Sequence, residues 1–412
     1  MEKPFRLVVL LLTLVQFASS DTGTAQSNGE VIAWGWNQYG QCDVPLPNSG
    51  FVAAAGGYFH SLGLKESSSI VAWGRDNWYQ CSVPYPNASF VAVAGGEFHS
   101  LGLKANGFIL AWGNDWYGQC DVPLPNTGFV AVAGGLNHSL GLKGDGSIVA
   151  WGLNDHGQCD VPSPNEDFVA VGGGWYHSLG LKADSSIVAW GLNSYGQCDV
   201  PLPNSVFTAV AGGYHHSLGL KVDGSIVAWG AGQPGQAGFP HYGQCSVPEP
   251  NSGFVAVAAG GYHSLGLKED GSILAWGWNH EGQCDVPDPN EGFFSVAGGA
   301  NHSLGLREIN TSVEGEDLTG NSIRIQSIAP NPFSRSTTVL FRSPVLSEVS
   351  LEVFDTTGRL VRTQYLGSSP AGQHSTTWDG RDASGAELAS GVYFIRLRSP
   401  EQQASAKVLL VR

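Results

Sequence analysis

Charge is scarce in this chain of 412 residues. Asp, Glu, Lys and Arg together make up 13%, and only 20 residues are basic. There is one methionine, and no long stretch of 3.6-residue apolar periodicity, which argues against a helical protein. Beyond an apolar run at the very start, no segment reaches the ~18 apolar residues that a membrane-crossing helix needs, so no transmembrane segment is expected in the mature chain. The shortage of cations is uneven. Asn28–Glu308 holds 8 basic and 23 acidic residues, whereas Asn321–Arg412 holds 10 and 7. The larger part therefore repels phosphate backbones, which excludes nucleic acid as an expected partner. Nucleophile elbows, phosphate loops and zinc signatures are also missing. With no asymmetric set of acid, base and nucleophile in view, the chain reads as non-enzymatic, with no catalytic residues, no metal and no cofactor.

What the chain has is glycine, 57 residues of it, and 13 tryptophans. That combination suits short strands joined by tight turns. At the N-terminus, Lys3 and Arg6 precede the apolar run Leu7–Val15, and Ala18-Ser19-Ser20 offers small residues for cleavage. Residues 1–20 read as a signal peptide, with Ala25 as a second cleavage candidate, and imply an exported protein.

An internal repeat settles the architecture. Ala-Trp-Gly recurs with its Trp at 34, 73, 112, 151, 190, 229 and 276, and His-Ser-Leu-Gly-Leu with its His at 60, 99, 138, 177, 216, 263 and 302. The step is 39 residues except once, where it is 47 and contains the Gly- and Pro-rich Gly232–Phe239. An insertion confined to one repeat is expected to be a surface loop. Within a repeat, Phe129–Ala133 reads as a strand, His138–Leu142 as a second, and Ser147–Trp151 as a third. Asp145-Gly146 marks the hairpin between the last two. Gly157–Pro162 is expected to hold a short outer fourth strand ended by proline. Four short strands per repeat make one propeller blade. The array begins at Val31–Trp34, in mid-repeat, and ends at Leu304–Leu306, so pairing the two ends would close a ring. The expected fold class is all-β: a seven-bladed β-propeller over 28–308, followed after a linker at 309–322 by a small Ig-like β-sandwich over 323–412.

The pattern Ala-Trp-Gly-x-Asn-x-x-Gly-Gln, followed by Val-Ala-x-Gly-Gly-x-x-His-Ser-Leu-x-Leu-Lys-x-Asp-Gly, resembles the regulator of chromosome condensation repeat. The short form with Val-Pro after Gly-Gln-Cys is similar to secreted bacterial members, among them a β-lactamase inhibitor. The resemblance implies a binding propeller in which loop aromatics contact a protein partner. The nucleotide-exchange role of the eukaryotic founder is not expected, given the signal peptide, the acidic charge and the short repeats. After the linker, strand candidates fall at Thr337–Phe341, Val349–Phe354 and Leu360–Tyr365, with a hairpin at Thr357-Gly358. Pro330-Asn331-Pro332-Phe333 and Ala389-Ser390-Gly391-Val392-Tyr393-Phe394 resemble the Ig-like module of flagellar hook-capping proteins and the sorting domain of type IX secretion. Either resemblance implies a bacterial cell-envelope or extracellular protein, with this domain as a sorting tag or spacer.

The repeated polar residues read as structural. Seven cysteines, one per repeat, are an odd number, and equivalent positions on neighbouring blades lie beyond disulfide reach. They are expected to be unpaired, small buried hydrophobes. Seven equivalent histidines cannot converge on one ion, so each is expected to tie its strand to a neighbouring loop. Asp43, Asp121, Asp160, Asp199 and Asp285 read as turn caps. Function is expected where the repeats differ. Just before Gly-Gln stand Tyr39, Trp78, Tyr117, Tyr195 and Tyr242, and just before the repeated His stand Phe59, Phe98 and Tyr176. Aromatics are enriched at binding hot spots, so these eight are the candidate binding residues. A protein partner is favoured, with carbohydrate as the alternative, and the chain is expected to be a monomer.

Overall fold

The computed structural model describes residues 29–308, 323–329, 333–343, 347–355, 359–370, 372–399 and 403–412. The expected signal peptide at 1–20, the linker at 309–322, Pro330–Pro332 and the Thr357-Gly358 hairpin lie outside the described residues. The named elements are all strands, and no helix among the described residues is long and apolar enough to cross a membrane. The chain divides into two compact units, with the division between Ile309 and Asn310.

In the first unit one repeat shows why the strands form. Phe129–Gly134, His138–Lys143 and Ile148–Gly152 pair antiparallel, with Val132 opposite Gly141 and Leu140 opposite Ala150. The hairpin after His138–Lys143 is closed by Gly146 N donating to Lys143 O at 3.0 Å. Gly146 has φ +83°, a conformation that costs a residue without Cβ little. Asp145 Oδ1 accepts from Ser147 N and Oγ at 2.9 and 2.7 Å, holding the turn. A Cβ on Gly141 would lie 2.5 Å from Phe129 Cε1, so glycine there lets the ring lie against the middle strand.

The same three-stranded unit starts at Phe51, Phe90, Phe129, Phe168, Phe207 and Phe254. The last unit starts at Phe293 and takes its third strand from the other end of the array. Gly29–Gly35 pairs with His302–Glu308, Val31 opposite Leu306 and Trp34 opposite Ser303. The expected pairing of the two ends is therefore observed. Apolar side chains fill the space between units: Leu140, Leu142 and Ile148 pack with Phe168, Val171 and Trp190 of the next.

The expected outer fourth strand is not formed. Gly157–Pro162 is turn and irregular chain. Pro162 and Pro164 cannot donate to a ladder, and an amide side chain takes the edge instead. Asn165 Oδ1 accepts from Ile148 N at 2.7 Å, and its Nδ2 donates to Ile148 O at 2.8 Å. Asn48, Asn87, Asn126, Asn204, Asn251 and Asn290 do the same to Val31, Ile70, Ile109, Ile187, Ile226 and Ile273.

The repeated histidine joins one unit to the next, through a strand serine and not, as expected, through a loop. His138 Nε2 lies 3.0 Å from Ser178 Oγ, and Ser178 Oγ donates to Gln158 O at 2.8 Å. The single serine proton is spent on that carbonyl, so the histidine is the donor and Nε2 carries its proton. The pairs run His60–Ser100, His99–Ser139, His138–Ser178, His177–Ser217, His216–Ser264, His263–Ser303 and His302–Ser61, a closed circle. Burial lowers each pKa to about 3 or 4, so the circle is neutral at ordinary pH. The Gln158 carbonyl also accepts Trp190 Nε1 at 3.0 Å, which anchors the Ala-Trp-Gly indole as well as burying it.

The second unit has two antiparallel sheets. One orders Arg324–Ala329, Thr337–Ser343 and Gly372–Trp378; the other orders Leu360–Ser369, Ser347–Asp355, Gly391–Arg398 and Gln403–Leu410. One core joins them, with Phe341 and Trp378 from the first sheet against Leu351, Ile395, Leu397 and Val408 from the second. This is a sandwich packed through alternate residues of each strand.

Candidate functional site

Antiparallel pairing sends three variable positions of each repeat to one end of the propeller. Gly74 lies opposite His60, and Arg75 N donates to Phe59 O at 2.9 Å. The turn before the repeated His and the chain leaving Ala-Trp-Gly are thereby held side by side. The loop before Gly-Gln is fixed from below by repeated polar residues. Gln158 Oε1 accepts His156 N at 2.9 Å, Asn154 Oδ1 accepts Cys159 N at 2.8 Å, and Asn154 Nδ2 donates to Asp160 Oδ1 at 2.8 Å. Asp43, Asp160, Asp199 and Asp285 thus brace an asparagine side chain of the loop and do not cap the turn directly; Asp121 faces Asp115 in the same place. The cysteines are all unpaired, but only Cys245 is buried; the rest are half-buried. Each thiol donates to a backbone carbonyl, as Cys159 Sγ does to Leu153 O at 3.4 Å. Burial pushes the seven thiols up to about 12.

Around the axis the residue two before each repeated His, preceded by Gly-Gly in six repeats and by Ala259-Gly260 in the other, donates its N–H to the next unit. Tyr58 N reaches Gly96 O, Glu97 N reaches Leu136 O, Leu136 N reaches Trp175 O, and Trp175 N reaches Gly213 O. Tyr214 N then reaches Gly261 O, Gly261 N reaches Ala300 O, and Ala300 N closes the ring on Gly57 O, all within 2.9–3.2 Å. A Cβ at Gly95 would sit 2.8 Å from Gly57 N, so glycine at that position lets its unit lie close against the neighbouring one. Because main-chain groups make the ring, the side chains after Gly-Gly are free to differ.

The eight expected binding residues fall into separate groups. Tyr39, Phe59 and Phe98 meet: Tyr39–Phe59 and Phe59–Phe98 centroids are 5.3 and 5.4 Å apart, with Trp36 joining both Tyr39 and Phe59. Tyr176 packs on His156 and Trp175, Tyr195 on His215 and His241, and Tyr242 on Tyr262 and Trp278. Trp78 pairs with Trp116 at 4.5 Å. Tyr39, Tyr117, Tyr195 and Tyr242 are 36–48% exposed, whereas Phe59, Trp78, Phe98 and Tyr176 are half-buried.

Three rings absent from the expected set connect these groups, except the Trp78–Trp116 pair. Tyr58 stands 4.0 Å from Phe59 and 5.7 Å from Tyr214, and Tyr214 stacks on Trp175 at 4.2 Å and meets Tyr262 at 4.9 Å. Tyr58, Trp175 and Tyr214 occupy the position two before the repeated His, where the seven repeats read Tyr58, Glu97, Leu136, Trp175, Tyr214, Gly261 and Ala300. A variable position beside a pair that is Gly-Gly in six of the seven repeats was the available signal. The insertion adds to the same end: Phe239 reaches Tyr262 at 5.8 Å.

Basic residues on this end are few. Six lysines and Arg307 occupy the strand-end position of the repeat, leaving Arg75 as the remaining basic residue of 28–308. Its guanidinium lies over Tyr39, Phe59 and Phe98 at 4.8, 4.9 and 5.4 Å, a cation held on ring faces. Glu97 accepts Asn137 Nδ2 at 3.3 Å, and burial raises its carboxyl above the ordinary value, with Asn137 and Arg75 opposing. Burial likewise pushes the Tyr214 hydroxyl well above its usual range.

The regulator of chromosome condensation repeat matches at residues 129–158, 168–197 and 254–283. The propeller carries regulator of chromosome condensation repeats. Its fold is similar to Prp20p of Saccharomyces cerevisiae, with 19% identity, TM-score 0.56, and 69% of this chain and 92% of that one covered. Yeast RCC1 (Prp20) in a structure bound to Kap60 gives 18%, 0.57, and 72% and 96%. Human WBSCR16 gives 19%, 0.54, and 68% and 99%. The FlgD Ig-like domain matches at 335–402 in the second unit. No curated protein matches the chain. At these identities the structural likeness carries the fold alone.

Proposed function

We propose that this chain is an exported, non-enzymatic binding module, and that its propeller grips a protein partner through the ring-bearing end. The observation that carries this reading is the connected aromatic network from Trp36 and Phe59 through Tyr58 and Tyr214 to Tyr262 and Trp278. Partly exposed aromatics clustered at the centre of a rigid face are the composition of a hot spot. The rings favour protein over carbohydrate. Sugars stack on flat, open ring faces, whereas Tyr39 meets Phe59 at 83° and Tyr262 meets Tyr214 at 81°, so neighbouring edges cover those faces. Trp116, 70% exposed, is the observation that supports carbohydrate as the second reading. The yeast relative named above was studied for binding to Gsp1p and histones, which supports a protein-binding use of this fold. A histone-like basic partner would also find a net acidic propeller here.

The test is partner capture from culture supernatant and envelope extracts, with the intact protein beside a Tyr39→Ala, Phe59→Ala, Phe98→Ala variant of verified melting temperature. A captured protein lost by the variant supports the reading. Equal capture by both moves the site to another surface, and capture of glycan alone favours the second reading.

A further inference from the structure

The insertion in the sixth loop replaces a brace that the other six loops share. In those six the N–H of the repeated Cys donates to an Asn or Asp side chain, as Cys198 N does to Asn193 Oδ1 at 2.8 Å. Here Cys245 N donates instead to Gly232 O at 3.2 Å, and Ser246 Oγ reaches the same carbonyl at 3.3 Å. Loop and insertion therefore both hang on Gly232. Its own N–H donates to His241 Nδ1 at 3.0 Å and is shared with Gln236 Oε1 at 3.1 Å. Of these two acceptors only the imidazole joins the start of the insertion to the chain that follows its end. Gln236 turns back on its own arm, where it also accepts Gln233 N at 2.9 Å. The two feet are pinned, by Gln233 Nε2 to Ala228 O at 3.2 Å and by Gln244 Nε2 to Pro240 O at 2.7 Å, so any opening is confined to the stretch between them. Apolar packing holds that stretch weakly. Pro234–Phe239 is exposed, and the Phe239 ring meets Tyr262 and His215 only at 5.8 and 6.4 Å.

We propose that the insertion is an acid-released flap: neutral His241 latches it shut beside Tyr262, and protonation of the imidazole opens it. A backbone N–H can only donate, so Nδ1 turns its lone pair to Gly232 and the ring proton sits on Nε2. An imidazolium carries a donor on both nitrogens. Protonation thus sets two N–H groups face to face and leaves Gly232 N with Gln236 alone. The titratable groups facing the ring are Tyr195, 5.9 Å away between centroids, and His215. Burial first, and the charge of His241 second, lower the His215 imidazole to about 4, so it supplies no counter-charge. Among the described residues no carboxylate forms an ion pair with His241, so nothing anchors the charged ring in place. Histidine is the side chain whose charge ordinarily changes between pH 5 and 8. That window lies above the one in which the buried histidine circle takes up protons in the folded chain. The flap is a property of the ring-bearing end itself and goes beyond the binding reading.

The experiment is hydrogen–deuterium exchange of the full chain at pH 7.5 and 5.5, read by mass spectrometry on peptides covering 229–246, with rates corrected for intrinsic exchange. The opening equilibrium of this segment is expected to rise about tenfold at pH 5.5. The Asn193 loop of the preceding repeat, braced by a neutral amide, is expected to stay as protected as before and so reports any general loss of stability. His241→Asn puts an amide oxygen near the place of Nδ1 and is expected to keep the segment closed at both pH values. His241→Ala removes the acceptor and is expected to leave it open at both. The melting temperature at pH 7.5 verifies that each variant is folded, and the pH response is expected to vanish in either one. Equal protection of the wild-type segment at the two pH values, a rise matched by the Asn193 loop, or a pH response that survives in a folded variant overturns the proposal. No partner protein takes part, so its failure leaves partner capture as a separate question.

Discussion

The two ends of the propeller are built from the same seven repeats and behave oppositely. At the hairpin end six of the seven copies do one thing: Lys65, Lys104, Lys143, Lys182 and Lys268 donate to the carbonyls of Pro47, Pro86, Pro125, Pro164 and Pro250, and Arg307 to that of Pro289. Lys143 Nζ also lies 4.1 Å from the Phe129 ring centre, an arrangement repeated at every copy. At the ring-bearing end the residue two before the repeated His is Tyr, Glu, Leu, Trp, Tyr, Gly and Ala in turn. The difference teaches where a repeat can vary. Where side chains make the structural bonds their identity is held, and where main chain makes them the side chains are released for recognition.

The largest expected effect tests what joins the units. Each circle histidine binds a proton in the unfolded chain near pH 6.5 but in the folded chain only near 3 or 4. Below pH 6.5 the unfolded state therefore takes up protons that the folded state refuses. Stability is full above 6.5, falls with falling pH, and stops falling only once the folded histidines protonate. At up to a few kcal/mol per residue against a typical total of about 5–15, the propeller is expected to unfold before pH 4. Urea unfolding followed from pH 7.5 to 4 checks this; a pH-independent midpoint would remove the circle from the stability account. Next in size, Ser178→Ala strands His138 Nε2 in the core and is expected to cost about 1–3 kcal/mol. The matched Ser147→Ala at an exposed hairpin is expected to cost well under 1 kcal/mol.

Crossing to the other end reverses the readout. Phe59→Ala with Phe98→Ala is expected to weaken partner binding by tenfold or more, about 1.4 kcal/mol or above, while the urea midpoint moves little. A comparable loss of stability would make those rings scaffold. Smallest of all, Lys143→Ala is expected to cost at most about 1 kcal/mol and to leave partner affinity unchanged. The thiols add a check on the loops of the ring-bearing end. With pKa values near 12 all seven should ignore an aromatic disulfide reagent at pH 8 until the protein unfolds. Early reaction of any one would show that its loop opens.

Much of the fold could be read from the repeat, because hairpin turns and strand alternation are local. Asp145-Gly146 and the strands around it fall where the pattern puts them. The outer strand failed for a reason the pattern also contains, since Pro162 and Pro164 remove ladder donors, but that Asn165 would serve the edge from 17 residues away is a contact across the sheet. The site divides the same way. Variable aromatics such as Tyr39 and Phe59 stood out by position, whereas the meeting of Tyr58 with Tyr214, from repeats 156 residues apart in sequence, depends on the ring bringing them to one axis.

By itself, then, the sequence determined the repeated unit, its hairpins, the apolar faces that must be covered and the positions left free to vary. These follow from the period of two in strands and from glycine's tolerance of positive φ. Tertiary structure alone decided which serine each histidine finds, which carbonyl each axial amide finds, and that Glu97 stands among rings at the axis. Those contacts join residues from neighbouring or more distant repeats, and no local pattern encodes a distance that exists only once the chain has closed on itself.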